Sequence, residues 1–201
     1  MTPNPGVSGL RARLRAERTR LDASARIAAA EALVGTLEQL PEFLVDANVA
    51  GYWAVRGELP LNLVFARLRA RAQRYYLPLL AGQSLRFAAW SPGAELQPNR
   101  YGVPEPVCRP EDSTEPQGLD LVLVPLLGFD RRGNRIGSGA GYYDRAFAFL
   151  RGAARPSHPV LVGIGYHFQE VSGLTAQSWD VPMDFIATDR ELIDCTTSPP
   201  A

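Results

Sequence analysis

Residues 10–21 repeat apolar side chains at helical spacing. Leu10, Leu14 and Leu21, continued by Ala25, fall on one stripe at about 100° per residue. The same wheel brings Arg11, Arg15 and Arg18 within about 60° of one another beside that stripe, with Arg13 and Arg20 pointing away. Arg13 and Arg20 are therefore read as solvated. Arg11, Arg15 and Arg18 border the buried face, either as a plain basic surface or as guanidiniums that reach into a cleft. Asp22 or Ser24 caps a second helix, which runs through Ile27, Leu33 and Leu37 until Pro41. The small, β-branched and aromatic run 47–55 predicts a strand, and Arg56-Gly57-Glu58 a turn. Leu61, Val64, Phe65 and Leu68 predict a helix over 61–72, and two strands follow at 75–80 and 85–90. Alternation of this kind defines an α/β fold.

From Ser91 to Gly118 the periodicity stops and six prolines appear. Loops of this length are commonly functional, and the stretch reads as an excursion over the surface of one domain rather than a linker. Leu119 to Phe129 is almost wholly apolar and suits a central strand buried on both faces. A glycine-rich run follows, then an apolar helix candidate at 146–152, a buried strand at 160–165 and a short last strand at 184–188. Residues 1–8 and 195–201 read as disordered tails of a single domain spanning 1–201.

Composition narrows the chemistry. Formal net charge is zero over 201 residues, so no global field favours nucleic acid or membrane. No apolar run approaches the roughly 20 residues of a membrane span, which makes a cytoplasmic protein the expectation, and a monomer. Cys108 and Cys195 lack metal-ligand spacing and read as free thiols rather than a bridge. All 21 basic residues are arginine. The lysine of a GxxxxGK[ST] phosphate loop is absent, and with it Schiff-base chemistry. Any phosphate must be held by arginine, backbone N–H groups and a metal.

The segment 133–145 has those parts. Gly137, Gly139 and Gly141 occupy every second position, where the backbone can approach an anion closely. Arg135 supplies a cation, a helix starting near Tyr142 adds its N-terminus, and Asp144 can hold a divalent ion that bridges phosphates. The GxGxG spacing is not the GxGxxG of dinucleotide folds. Glycines alone would equally suit a turn that merely connects strand and helix.

The run Asp120 to Asp130 (DLVLVPLLGFD), followed by Gly133 to Asp144 (GNRIGSGAGYYD), closely resembles the 5-formyltetrahydrofolate cyclo-ligase family. The N-terminal Leu-Arg helix, Gly57-Glu58, Pro78, Tyr101 to Pro106, Gly163 to Tyr166, Gln169 and Asp180 to Asp184 recur in the expected order. The resemblance implies a single α/β domain with a mostly parallel central sheet flanked by helices, like ribose-5-phosphate isomerases and CoA transferases. It implies ATP-dependent cyclisation of 5-formyltetrahydrofolate, polyglutamylated or not, to 5,10-methenyltetrahydrofolate. ADP and phosphate are released, and the path runs through a phosphorylated formyl (imidate) intermediate.

Carried over by position, the ATP site is Arg11 and Arg15 with Arg135, Ile136, Gly137, Ser138, Gly139, Ala140, Gly141, Tyr142 and Tyr143. Arg135 and Tyr142 stand closest to the chemistry. The folate site is Trp53 and Glu58 with Ser138, Gly139, Ala140, Gly141 and Tyr142. Asp144 and Asp180 are the implied Mg2+ ligands, with Asp180 also readable as a cap or turn residue before Pro182. Tyr52, Trp53, Tyr101 and Tyr142 offer flat surfaces for rings, or core packing. Neither His158 nor His167 has a catalytic role, since phosphorylating an amide oxygen needs no general base. Arg11 stands where the family usually has lysine, and Ser138 and Ala140 where it has larger or basic residues. These departures leave a non-catalytic binding relative as the alternative. A sugar-phosphate isomerase of the same fold would ordinarily want a lysine.

Overall fold

The computed structural model describes residues 5–197. An eight-stranded sheet runs in the order β12-β11-β10-β7-β1-β2-β3-β6. Its strands are β1 (Asn48–Ala50), β2 (Arg74–Ala81), β3 (Ser84–Ala89), β6 (Ser113–Thr114), β7 (Leu121–Pro125), β10 (Val160–Ile164), β11 (Phe185–Ala187) and β12 (Leu192–Asp194). The five inner strands, β11 to β2, are parallel, and β12, β3 and β6 add antiparallel edges. Two hairpins stand apart from the sheet: β4 (Leu96–Pro98) with β5 (Pro104–Pro106), and β8 (Gly128–Phe129) with β9 (Arg135–Ile136). The helices are α1 (Pro5–Arg20), α2 (Ala23–Leu37), α3 (Pro41–Val45), α4 (Asn62–Ala70) and α5 (Tyr142–Ala146). None among the described residues is long and apolar enough to cross a membrane.

The continuous apolar runs are explained by burial on both faces. Along β7, Leu121 and Leu123 enter one core with α2, α3 and α4, while Val122 and Val124 enter the other with α5. β10 divides the same way, with Val160 and Val162 on the first side and Leu161 on the second.

Four expectations need correction. First, the run 119–129 is not one strand. After Pro125 the chain leaves the sheet, because Gln169 Nε2 donates to the carbonyls of Leu126 (3.0 Å) and Leu127 (2.7 Å) and holds them off the ladder. Phe129 then pairs with Arg135 instead. Second, the strand at 47–55 pairs over only three residues, and Tyr52 is drawn away by its hydroxyl bond to Leu59 O at 2.6 Å. Third, the helix candidate at 146–152 is displaced: α5 ends at Ala146, and only a 3-10 turn covers Ala148–Leu150. Fourth, the tails are shorter than expected. α1 starts at Pro5, and Cys195 is buried, its N–H on Asp184 O at 2.9 Å. Residues 1–4 and 198–201 lie outside the described residues.

The excursion 91–118 is built around side-chain bonds rather than periodicity. Glu105 Oε1 accepts from Leu80 N (2.9 Å) and Asn99 Nδ2 (2.8 Å), fastening the β4–β5 hairpin to β2. Asn99 Oδ1 accepts from Tyr101 N and Val103 N, which shapes the tip at 99–102.

Candidate active site

Parallel strands bring their carboxyl ends to one edge of the sheet, where ligands bind in open α/β folds. The Trp53–Glu58 segment follows β1, the β8–β9 hairpin and glycine loop follow β7, and Tyr166–Gln169 follow β10. Asp130 shapes the hairpin turn. It is buried and accepts from Arg132 N, Asn134 N and Leu174 N at 3.0–3.2 Å.

Helix α1 lies over this hairpin. Leu14 is 1% exposed, and a Cβ at Gly128 would come within 2.9 Å of its Cδ1, so only glycine lets the helix approach this closely. Burial of one leucine stabilises by about 2 kcal/mol. It also sets the register of the arginines around it. Arg11 Nε donates to Gly137 O (3.2 Å) and Arg15 Nη2 to Ser138 O (3.1 Å). From beneath, Arg135 Nη1 would stand 3.2 Å from a Cβ at Gly137. Three guanidiniums thus converge on Gly137–Ser138, and Arg13 and Arg20 are exposed, as the wheel predicts. Arg18 departs from the glycine loop. It is 5% exposed, donates to Arg56 O at 3.1 Å and lies 3.9 Å from Glu58 Oε1.

Within the loop the glycines differ. Gly139 (φ 109°) and Gly141 (φ 67°) hold left-handed conformations that side chains resist. Gly137 does not, and is held small by Arg135. Ser138, Gly139 and Ala140 are exposed, whereas Ile136 is buried against Gly128, so it presents backbone alone. The contribution expected from a helix N-terminus is small, because α5 has five residues and Gly141 offers it no side-chain cap. Tyr143 packs inward, stacked on Phe147 at 6.3 Å, and burial pushes its phenol up from the usual tyrosine value. Tyr142 points outward. Its hydroxyl takes a bond from Arg100 and lies 3.3 Å from that of Tyr101. The Tyr101 contact, followed by the Arg100 bond and charge, lowers its phenol pKa.

Asp144 and Arg135 are bound to each other. Arg135 Nη2 donates to Asp144 Oδ1 at 2.5 Å, and the same oxygen accepts from Val181 N at 3.3 Å. The second contact ties α5 to the residue after Asp180. Asp180 Oδ2 closes its own turn by accepting from Gln177 N at 2.9 Å. Asp144 Oδ2 and Asp180 Oδ1 have no hydrogen bond among the described residues, which leaves two hard oxygens of the kind Mg2+ selects. A different donor group, His167, Glu170 and Glu191, already has a cation. Arg131 donates to Glu170 Oε1 at 2.9 Å and to Glu191 Oε1 at 2.6 Å.

Glu58 is fixed by Val55 N on its Oε2 (3.0 Å), inside a turn with Arg56 (φ 51°) and Gly57 (φ 78°) in the left-handed region. Burial raises its carboxyl above the ordinary value, against the pull of that backbone bond and of Arg18. Trp53 is 38% exposed and meets Trp90 edge-on at 5.6 Å. Both line a cavity of about 460 Å3 with Pro60, Phe65 and Leu77. Trp90 Nε1 is buried there without a hydrogen-bond partner. Tyr52 also lines this cavity but is otherwise buried in the core.

Trp90, Arg100 and Arg145 were not legible as site residues. Trp90 ends a strand pattern, Arg100 sits in the aperiodic excursion, and Arg145 shares its segment with a stronger signal. The one usable cue was the three-residue spacing of Tyr142 and Arg145 on a helix.

This geometry defines an α/β protein in which arginines, with no lysine, meet a glycine loop after the central strand, and aromatic side chains line a cavity after β1. The sequence profile of the 5-formyltetrahydrofolate cyclo-ligase family matches residues 5–189. A 5-formyltetrahydrofolate cyclo-ligase of Haemophilus influenzae is 32% identical over 139 residues, 68% of this chain and 72% of the relative. One from Escherichia coli is 30% identical over 156 residues, 76% of this chain and 83% of the relative. The solved structure of 5,10-methenyltetrahydrofolate synthetase from Aquifex aeolicus superposes with a TM-score of 0.80 at 28% identity, covering 97% of this chain and 95% of that one. The chain belongs to the 5-formyltetrahydrofolate cyclo-ligase family, the ligases of folate one-carbon metabolism.

Proposed function

We propose that this chain uses ATP to close 5-formyltetrahydrofolate to 5,10-methenyltetrahydrofolate at the cleft between the glycine loop and the Glu58 turn. The observation that carries the reading is the convergence of Arg11, Arg15 and Arg135 on Gly137–Ser138. An N5-formyl oxygen is a poor leaving group until it is phosphorylated. The γ-phosphoryl group of ATP passes to that oxygen, giving an imidate phosphate and ADP. N10 then attacks the formyl carbon, the C–O bond breaks, and phosphate leaves with the N10 proton as the ring closes. The protein's share is positioning and charge stabilisation. The three arginines neutralise phosphate oxygens, and the exposed backbone of Ser138, Gly139 and Ala140 admits the substrates closely. Arginine at position 11 keeps the charge of a lysine and adds a planar fork.

Asp144 and Asp180 would hold Mg2+ through their uncommitted oxygens, and the ion would supply further charge neutralisation on the phosphates. Glu58 would accept from the amino and ring N–H donors of the pterin. Trp53 and Trp90 offer that ring a wall.

The deciding experiment mixes purified protein, ATP, Mg2+ and 5-formyltetrahydrofolate and follows the near-ultraviolet absorbance of methenyltetrahydrofolate. Product that requires both ATP and Mg2+ is expected. Folded protein that binds folate or nucleotide without releasing ADP would instead be a non-catalytic relative. Glu58→Gln is expected to raise KM for the folate at least about tenfold, as for a lost charge-assisted bond pair, with a smaller change in kcat. The raised carboxyl pKa adds a sign. As pH falls through it, Glu58 protonates and KM rises, at a higher pH than for an ordinary carboxylate. That acid limb of kcat/KM disappears in Glu58→Gln.

A further inference from the structure

One helix touches both halves of the site. Arg11 and Arg15 of α1 meet the glycine loop, and Arg18, a turn further on, meets the Glu58 turn. The Arg18 side chain is 6% exposed, so its contacts are with the protein. Its Nε donates to Arg56 O at 3.1 Å, and Nη2 stands 3.9 Å from Glu58 Oε1. The turn it grips is one the chain resists. Arg56 is a non-glycine residue at φ 51°, a left-handed conformation that a side chain disfavours. Gly57, at φ 78°, escapes that penalty but has no space for a side chain: a Cβ there would lie 3.1 Å from Arg18 O and 3.1 Å from Arg26 Nη1. Arg26, on α2, secures this floor. It donates from Nη2 to Arg18 O (3.3 Å) and from Nε to Leu21 O (3.0 Å), carbonyls at the end of α1.

Resting on the function proposed above, we infer that Arg18 is a positioning residue: it holds the Glu58 turn in the form that receives the pterin, and through α1 fixes that turn relative to the glycine loop. The charge acts as well as the bond. Within electrostatic reach of Glu58 are Arg18 from α1, Arg56 from its own turn, and the phenols of Tyr52 after β1, Tyr143 on α5 and Tyr166 after β10, with Arg26 beneath Gly57. Burial raises all three phenols, so they stay neutral where a carboxylate titrates. Burial raises Glu58 as well, and the Val55 N–H, then Arg18, then Arg56 pull it down. Arg56 is exposed and screened by solvent, which leaves Arg18 as the buried cation that keeps Glu58 ionised. Without Arg18, Glu58 protonates at a higher pH.

Kinetics of Arg18→Gln, Arg18→Lys and Glu58→Gln, alone and combined, test this. Arg18→Gln is expected to raise KM for the folate about fivefold, the worth of one lost hydrogen bond, with kcat and KM for ATP little changed. The acid limb of kcat/KM for the folate should move to higher pH, a change that loss of packing alone would not produce. Arg18→Lys, which restores the charge, should return the limb towards its wild-type position. In the Glu58→Gln background, Arg18→Gln should raise KM by less than about twofold, because its route to the folate has gone. Equal penalties in the two backgrounds overturn the inference, and so does an acid limb that stays in place in Arg18→Gln. Folate and ATP KM values rising together would make Arg18 a brace for α1 as a whole and overturn it too. Should Arg18→Gln fail to fold, Arg18→Lys carries the same cycle. A folate KM raised severalfold in the wild-type background and not in Glu58→Gln supports the inference, and equal penalties, or none, overturn it. Each of these results overturns this inference alone. Absence of turnover by the wild type overturns the proposed function, and this inference with it.

Discussion

Asp144→Asn is expected to lower kcat/KM on the order of a hundredfold or more, equivalent to about 2.7 kcal/mol of transition-state stabilisation. The amide keeps the side-chain volume and one acceptor for Val181 N. It removes the charge that orients Arg135 and one of the two oxygens proposed to hold Mg2+. The concentration of Mg2+ giving half-maximal rate should rise as well. Asparagine is the sharper test than alanine, because Arg135 and Asp144 have side chains only 8% and 18% exposed. Both changes take the negative charge from Arg135, but alanine also takes its acceptor, which adds a stability cost that asparagine lessens. A variant that melts like the wild type but keeps its rate and its Mg2+ requirement would remove Asp144 from the site.

The largest effect on stability is expected at Asp184, away from the cleft. Asp184→Ala should cost about 3–5 kcal/mol, read as a lower urea midpoint at unchanged slope. The carboxylate is fully buried, yet receives Arg155 twice at 2.5 Å and Leu161 N at 2.7 Å. Burial still raises its pKa against the pull of the backbone bond and of Arg155. The residue also joins β10 to the segment after β12, through Asp184 N on Leu161 O and Cys195 N on Asp184 O. Asp184→Asn, which keeps an acceptor for Leu161 N, should cost less. Activity of the remaining folded fraction should be little changed, which separates this aspartate from Asp144 and Asp180.

Glycine spacing, the arginine face of α1 and the apolar central runs were legible because each follows from a local rule. Helical period places Arg11 and Arg15 together whatever packs against them, and continuous apolar strands demand two covered faces. The extent of the strands was not legible. The end of β7 is set by Gln169, 44 residues beyond Pro125, and no local pattern shows that a distant amide will claim two carbonyls. Asp180 illustrates the same limit. As a turn residue and as a metal ligand it has the same neighbours in sequence, and it makes its turn bond with one oxygen while leaving the other free.

The opposite fates of Arg18 and Arg11 mark the boundary. On the helical wheel they are equivalent. In the fold, Arg18 goes to Arg56 and Glu58, and Arg11 to the glycine loop, because Leu14 seats α1 on Gly128 in one register. Sequence alone therefore determined the α/β class, the absence of a lysine-based phosphate grip and the glycine spacing of the 137–141 loop. All three depend on residue type and short-range period. The tertiary structure decided which arginines reach the glycine loop and which the Glu58 turn, and that Arg100 and Arg145 meet at Tyr142. Such pairings join segments far apart in sequence, 38 residues for Arg18 with Arg56 and 42 for Arg100 with Tyr142, whose approach is set by packing rather than by any local preference.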